Sequence, residues 1–194
     1  MNYGELLAYW YLRLNGFLVV RDYVIHESLD GGTNPSDIDV LGVRFPHVWE
    51  PVGGQKDDWD PWLVSAVGSG FLSSPVAVIA EAKTGDWGGI TESFSKDRLS
   101  IAVSRLGIWP ETAGLVEDLA SNRSSRHEGW TVMKMAFLKS AFESPLFHTV
   151  TLAQAESFIR ARIVKYRERK FAHRLFFHDD LMEYLMWSVY RDRS

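Results

Sequence analysis

The 194-residue chain contains no cysteine. That removes disulfides, thiolate zinc sites and a cysteine nucleophile together, and it is compatible with a reducing compartment. No apolar run approaches the roughly 18 residues of a membrane span. The opening MNYGELLAYWYLRLNG also lacks the basic flank and small-residue cleavage site of a signal peptide, so a cytoplasmic location without a membrane partner is expected. An excess of positive charge is missing too. The 21 Lys and Arg face 25 Asp and Glu, giving a formal net charge of -4; this argues against a protein that coats nucleic acid non-specifically, but leaves room for a local basic face. The six histidines form no H-E-x-x-H spacing, there is no serine nucleophile elbow, and Gly68-Ser69-Gly70 lacks the Lys of a phosphate loop. His178-Asp179-Asp180 reads as a helix cap before it reads as a metal pair.

What is present is an ordinary globular composition, 46% hydrophobic. A domain of this size buries about 70% of the surface its unfolded chain exposes, so no metal or disulfide staple is needed. The chain reads as one domain, with a core over about residues 1–151 and a helical extension over about 152–194. Leu6, Leu7, Trp10, Tyr11 and Leu14 form the stripe of an amphipathic helix, opened by an Asn2/Glu5 capping box and stopped by Asn15-Gly16. Phe17 to Ile25 and Asp37 to Phe45 read as strands joined by the turn-prone Asp30 to Pro35. Pro46 to Pro75 is an excursion with at most one short element. In it Trp59 and Trp62 either close a satellite core or stack on bases. PVAVIAEAK, from Pro75 to Lys83, is a continuous apolar run ending in charge, as expected of a central strand covered on both faces. A helix follows over Thr91 to Leu106, then strands at Thr131 to Leu138 and Phe147 to Thr151. Thr151 and Gln154 cap a helix running to about Lys170, and Asp179 or Asp180 caps a last one. The predicted order is α-β-β-β-α-β-β-α-α, an α/β fold with a mixed sheet flanked by helices.

The chemistry lies in two strand segments, SDIDV and AEAKT. Residues two apart share a face of a strand, so Asp37 and Asp39 point one way, as do Glu81 and Lys83. An ionised Glu81 beside the core costs several kcal/mol unless it is paired or bound to metal. If the two strands are neighbours, Asp39, Glu81 and Lys83 converge, two hard oxygen ligands beside an ammonium. That set suits Mg²⁺, with Mn²⁺ able to substitute, and a phosphate that replaces the ion's waters. The competing reading is a buried ion pair in a structural sheet.

With the helix carrying Glu5 before them, SDIDVLGV and VIAEAKTG resemble the PD-(D/E)xK nuclease superfamily, in its restriction endonuclease-like and Holliday junction resolvase-like branch. The resemblance covers about residues 4 to 107 in the order αβββα, and the strand after Thr131 completes an αβββαβ core. It implies a metal-dependent nuclease acting on nucleic acid, with DNA expected. Asp39 and Glu81 would bind Mg²⁺, Lys83 would serve the attacking water, and Glu5 would either complete the acidic cluster or act only as the cap of Asn2. Pro35 stands two residues before Asp37, so Asp37 competes with Asp39 for the motif position; the apolar Val40-Leu41 favour Asp39. No Gln-x-x-x-Tyr follows Lys83, so an endonuclease is expected rather than a RecB-like exonuclease. A homodimer or a partner protein is compatible with this reading, and so is a non-catalytic binding or assembly module that retains the charged cluster. Finally, Arg160, Arg162, Lys165, Arg167, Arg169, Lys170 and Arg174 crowd one segment with Glu168 as the only acid among them. Arg162, Lys165 and Arg169 fall on one helical face as candidate phosphate contacts.

Overall fold

The computed structural model describes residues 2–25, 36–85, 88–167 and 179–191, with side chains from 22–25 and 36–37 left aside. The expected turn from Asp30 to Pro35 and the cations Arg169, Lys170 and Arg174 lie outside the described residues.

Helix α1 (Tyr3–Leu14) begins with the expected capping box: the Glu5 N–H donates to the Asn2 side chain at 3.1 Å, and the Asn2 N–H donates to the Glu5 carboxylate at 2.8 Å. It stops where Gly16 takes φ +85°, a conformation a side chain would resist. Strands β1 (Leu18–Ile25), β2 (Ser36–Arg44) and β3 (Val76–Lys83) are consecutive antiparallel neighbours. The excursion between β2 and β3 carries α2 (Pro61–Val67), capped by Asp60, whose carboxylate accepts the Trp62 N–H at 2.9 Å. Trp59 is buried against Phe71 in the main core, with Trp62 packed beside it, which favours core packing over base stacking.

After β3 the chain forms α3 (Lys96–Leu106), α4 (Ala113–Ser121), β4 (Ser124–His127), β5 (Trp130–Leu138), β6 (His148–Thr151), α5 (Leu152–Lys165) and α6 (Asp180–Arg191). The helix expected from Thr91 starts later, because Glu92–Phe94 is a tighter 3₁₀ turn. Two elements were not expected. α4 (AGLVEDLAS) carries a helix-weakening Gly114, and β4 (SSRH) has no apolar residue to announce a strand. β4 is created by its turn, where Glu128 and Gly129 both take positive φ (46° and 82°) as a two-residue hairpin requires.

The result is an α/β fold with an open, mixed, six-stranded sheet in the order β1-β2-β3-β5-β4, flanked by helices. β3 runs parallel to the whole of β5 on one edge, so β4 and β6 share the other edge, β4 against its first half and β6 parallel to its second. On β3, Val78, Ala80 and Ala82 pack beneath α1, α5 and α6, while Ala77 and Ile79 pack beneath α3 and α4. The apolar PVAVIAEAK run is explained by this double covering. Alternation puts Glu81 and Lys83 on the α3 side.

The structure pairs Arg162 and Lys165, two of the candidate phosphate contacts, with acids of the excursion. Arg162 is buried, donates to the Gly53 carbonyl at 2.5 Å, and has its Nε 3.8 Å from Asp58. Lys165 Nζ lies 2.7 Å from Asp58 and 2.9 Å from Asp57. The acids that balance this helix come from the excursion about a hundred residues earlier, so counting neighbours in sequence missed them. Burial pushes the Asp58 carboxyl up, but bonds from Lys165, Tyr166 and the Gln55 N–H outweigh it and hold the group below its ordinary range. Its contribution to stability is full above the ordinary value of 3.8 and is lost as pH falls below it. We expect Asp58→Ala to lower stability by about 3–5 kcal/mol, read from the urea midpoint at neutral pH, because it strands the buried Arg162. A loss under about 1 kcal/mol would mean the clasp is slack.

Candidate functional site

The pairing of β2 with β3 runs from Arg44↔Val76 to Val40↔Ala80 and stops there. The next facing pair would be Asp39 and Glu81. Instead the strands part, and the Asp39 carboxylate accepts the Ala82 N–H at 2.7 Å, replacing the ladder bond that the backbone has given up. Glu81 is 1% exposed on the α3 side. Its Oε1 accepts from Arg98 Nη2 at 2.9 Å, and Arg98 Nε donates to the Ser93 carbonyl at 3.0 Å, so the turn before α3 aims the guanidinium at the strand end. Lys83 is half-buried beyond it, and its charge acts on both Asp39 and Glu81.

Both carboxylates are raised by burial, although Arg98 and Lys83 act on each of them. Burial is the main cause that pushes Glu81 up to about 7; the charge of Asp39 adds to it, and Arg98 and Lys83 offset only part. Burial also raises Asp39, against the Ala82 N–H, and the charge of Glu5 adds to the rise. Two carboxylates at one strand end are hard oxygen donors of the kind Mg²⁺ or Mn²⁺ takes, so Asp39 and Glu81 are the groups that could hold the expected ion. Among the described residues no group of three or more metal-ligating side chains converges, so further ligands would be water or substrate oxygen.

The remaining candidates fall as follows. Glu5 is engaged with Asn2 as a cap and stands near enough to act on Asp39 by charge. α1 approaches closely at this point because residue 4 is glycine: a Cβ there would meet Thr84 Cγ2 at 3.0 Å and Ala82 Cβ at 3.4 Å. Thr84 is thus a packing partner of the helix. Asp37 sits in β2 opposite Val24, and its side chain lies outside the described residues. A cleft of about 940 Å³ opens elsewhere, at the notch between β4 and β6, where Trp62, Arg123 and His148 line it. It includes none of the cluster residues.

Arg98 was missed in the sequence reading. A signal existed, since Arg98 stands one helical turn before the buried Ala102 on the side of α3 that faces the sheet. Comparison with protein-family models, with curated proteins and with solved structures finds no match to the chain.

The raised Glu81 carries a signed pH dependence. The folded state holds this proton more tightly than the unfolded chain, so the group's stabilising effect is full below the ordinary 4.5 and is lost as pH rises through about 7. His148 opposes it: burial holds the imidazole neutral down to about 4, so its contribution is gained as pH rises toward 6.5. The clean readout is therefore a comparison of proteins. Between pH 5 and pH 8, without metal, wild type should lose more melting temperature than Glu81→Gln, by several degrees. Parallel profiles would show that Glu81 titrates normally.

Proposed function

We propose that the chain is a divalent-metal-dependent nuclease that hydrolyses phosphodiester bonds, with DNA as the expected substrate and a restriction endonuclease-like αβββαβ core as its frame. The observation that carries this reading is the pair Asp39 and Glu81 at the parting of two antiparallel strands, both pushed upward by burial, with Lys83 beside them. The order of elements supports it as well, since α1, β1 to β3, α3 and β5 follow in the arrangement that the resemblance implies.

In this reading Asp39 and Glu81 hold the ion, which when bound supplies Lewis-acid polarisation of a phosphate oxygen and acidifies a water. Lys83 hydrogen-bonds the attacking water and lies against the charge that grows on the phosphoryl oxygens. Water adds to phosphorus, the bond to the leaving sugar oxygen breaks, and that oxygen takes up a proton. Glu81 must be unprotonated to hold the ion, so metal affinity should weaken as pH falls below about 7.

A second reading, a non-catalytic binding or assembly module, is favoured by one observation: Arg98 already partners Glu81. Titration calorimetry with Mg²⁺ or Mn²⁺ separates the two. Under the nuclease reading wild type binds one ion and Glu81→Ala loses it. Lys83→Ala keeps the ion while cleavage of a DNA panel falls by about 100-fold or more, and Asp39→Ala loses both. Metal affinity unchanged in Asp39→Ala would pass the ligand role to Asp37. Absence of both metal binding and cleavage in wild type would leave the module reading.

A further inference from the structure

Arg98 is held on the backbone side by Ser93 and on the other by Glu81, a carboxylate that the proposed ion would also need. Its side chain remains 21% exposed while that of Glu81 is 2% exposed, so solvent reaches the arginine more readily than the carboxylate it holds. A guanidinium cannot give up its charge at neutral pH, so a dication arriving at Glu81 meets a fixed cation within hydrogen-bonding distance of one of its ligands. Two cations on one carboxylate repel, unless a further anion joins them. The anion that fits a planar, two-pronged donor is a phosphate.

We propose that Arg98 is a positioning residue that couples metal loading to nucleic acid binding. In the free protein it occupies Glu81 and weakens the hold on a divalent ion. When a backbone phosphate takes the guanidinium, Glu81 is released to the ion, and the ion and the phosphate strengthen one another's binding. This rests on the nuclease reading and adds to it a rule of order: the centre loads fully only with substrate present. Because coupling between two ligands is reciprocal, the factor by which an oligonucleotide tightens the metal must equal the factor by which the metal tightens the oligonucleotide.

The test uses the full chain and Ca²⁺, an ion of the same oxygen-ligand class, with a short DNA duplex as the phosphate probe. Ca²⁺ affinity is measured by calorimetry at pH 8 with and without duplex, for wild type, Arg98→Gln and Arg98→Lys. Wild type should bind Ca²⁺ about tenfold or more tightly with duplex than without, within the usual range of such couplings. Arg98→Gln, which keeps a hydrogen-bond donor but not the charge, should bind Ca²⁺ more tightly than wild type in the absence of duplex and lose most of the coupling. Arg98→Lys, which keeps the charge, should stay weak without duplex and retain part of the coupling. A purely structural arginine would move melting temperature in both variants and leave the coupling factor alone. Equal Ca²⁺ affinities in wild type and a folded Arg98→Gln, with an unchanged coupling factor, overturn the proposal while leaving the metal centre standing. If wild type binds no divalent ion with or without duplex, the nuclease reading fails and this one fails with it.

Discussion

The arrangement of the candidate site depends on a single hydrogen bond, from the Ala82 N–H to the Asp39 carboxylate. Two antiparallel strands that separate inside a covered sheet leave backbone donors without partners, and each such donor costs about 1–3 kcal/mol if it stays unsatisfied. Here a side chain from one strand serves the backbone of the other. The strands can then open at the position where Glu81 needs room, and the edge of β3 stays satisfied. Gly4 belongs to the same corner, because a Cβ there would press on Thr84 at 3.0 Å and on Ala82 at 3.4 Å, where α1 rests on this strand end.

Asp58 and Glu81 show that burial alone does not set how a carboxyl titrates. Both side chains are almost wholly enclosed, at 0% and 2% exposure. Yet Asp58 is held below its ordinary range and Glu81 well above it. The difference lies in the company each keeps. Asp58 receives Lys165, Tyr166 and a backbone N–H, with Arg162 nearby, so its charge is fully met and it acts as a clasp between the excursion and α5. Glu81 has Arg98 at contact and Lys83 acting on it by charge, but burial and the neighbouring Asp39 carboxylate outweigh them. Equal enclosure thus leaves one carboxyl below its ordinary range and the other above it, according to how many donors reach each.

The elements that were readable in the sequence are those whose signals are local. The capping boxes at Asn2/Glu5 and Thr151/Gln154 opened α1 and α5 as expected, and the apolar run before Glu81 marked a doubly covered strand. The same run, by ending in Glu and Lys, marked the strand end where the candidate centre lies. What could not be read was long-range or created by a turn. β4 follows from the backbone angles at Glu128 and Gly129 and has no pattern of its own, whereas α4 carries a short apolar stripe of Leu115, Val116 and Leu119 that the sequence reading did not use. The cations Arg162 and Lys165 looked unbalanced because their acids, Asp57 and Asp58, are remote in sequence. Arg98 escaped for the same reason, since its partner Glu81 lies on another element.

Glu5 shows how a capping residue can also shape the charge around a strand end. An N-terminal capping interaction contributes about 1 kcal/mol. Here it fixes the Glu5 carboxylate on the Asn2 N–H at the start of α1. From that position its negative charge helps raise Asp39. The side chain that closes the helix therefore also adds to the negative potential at the strand end, and the two effects need no movement between them.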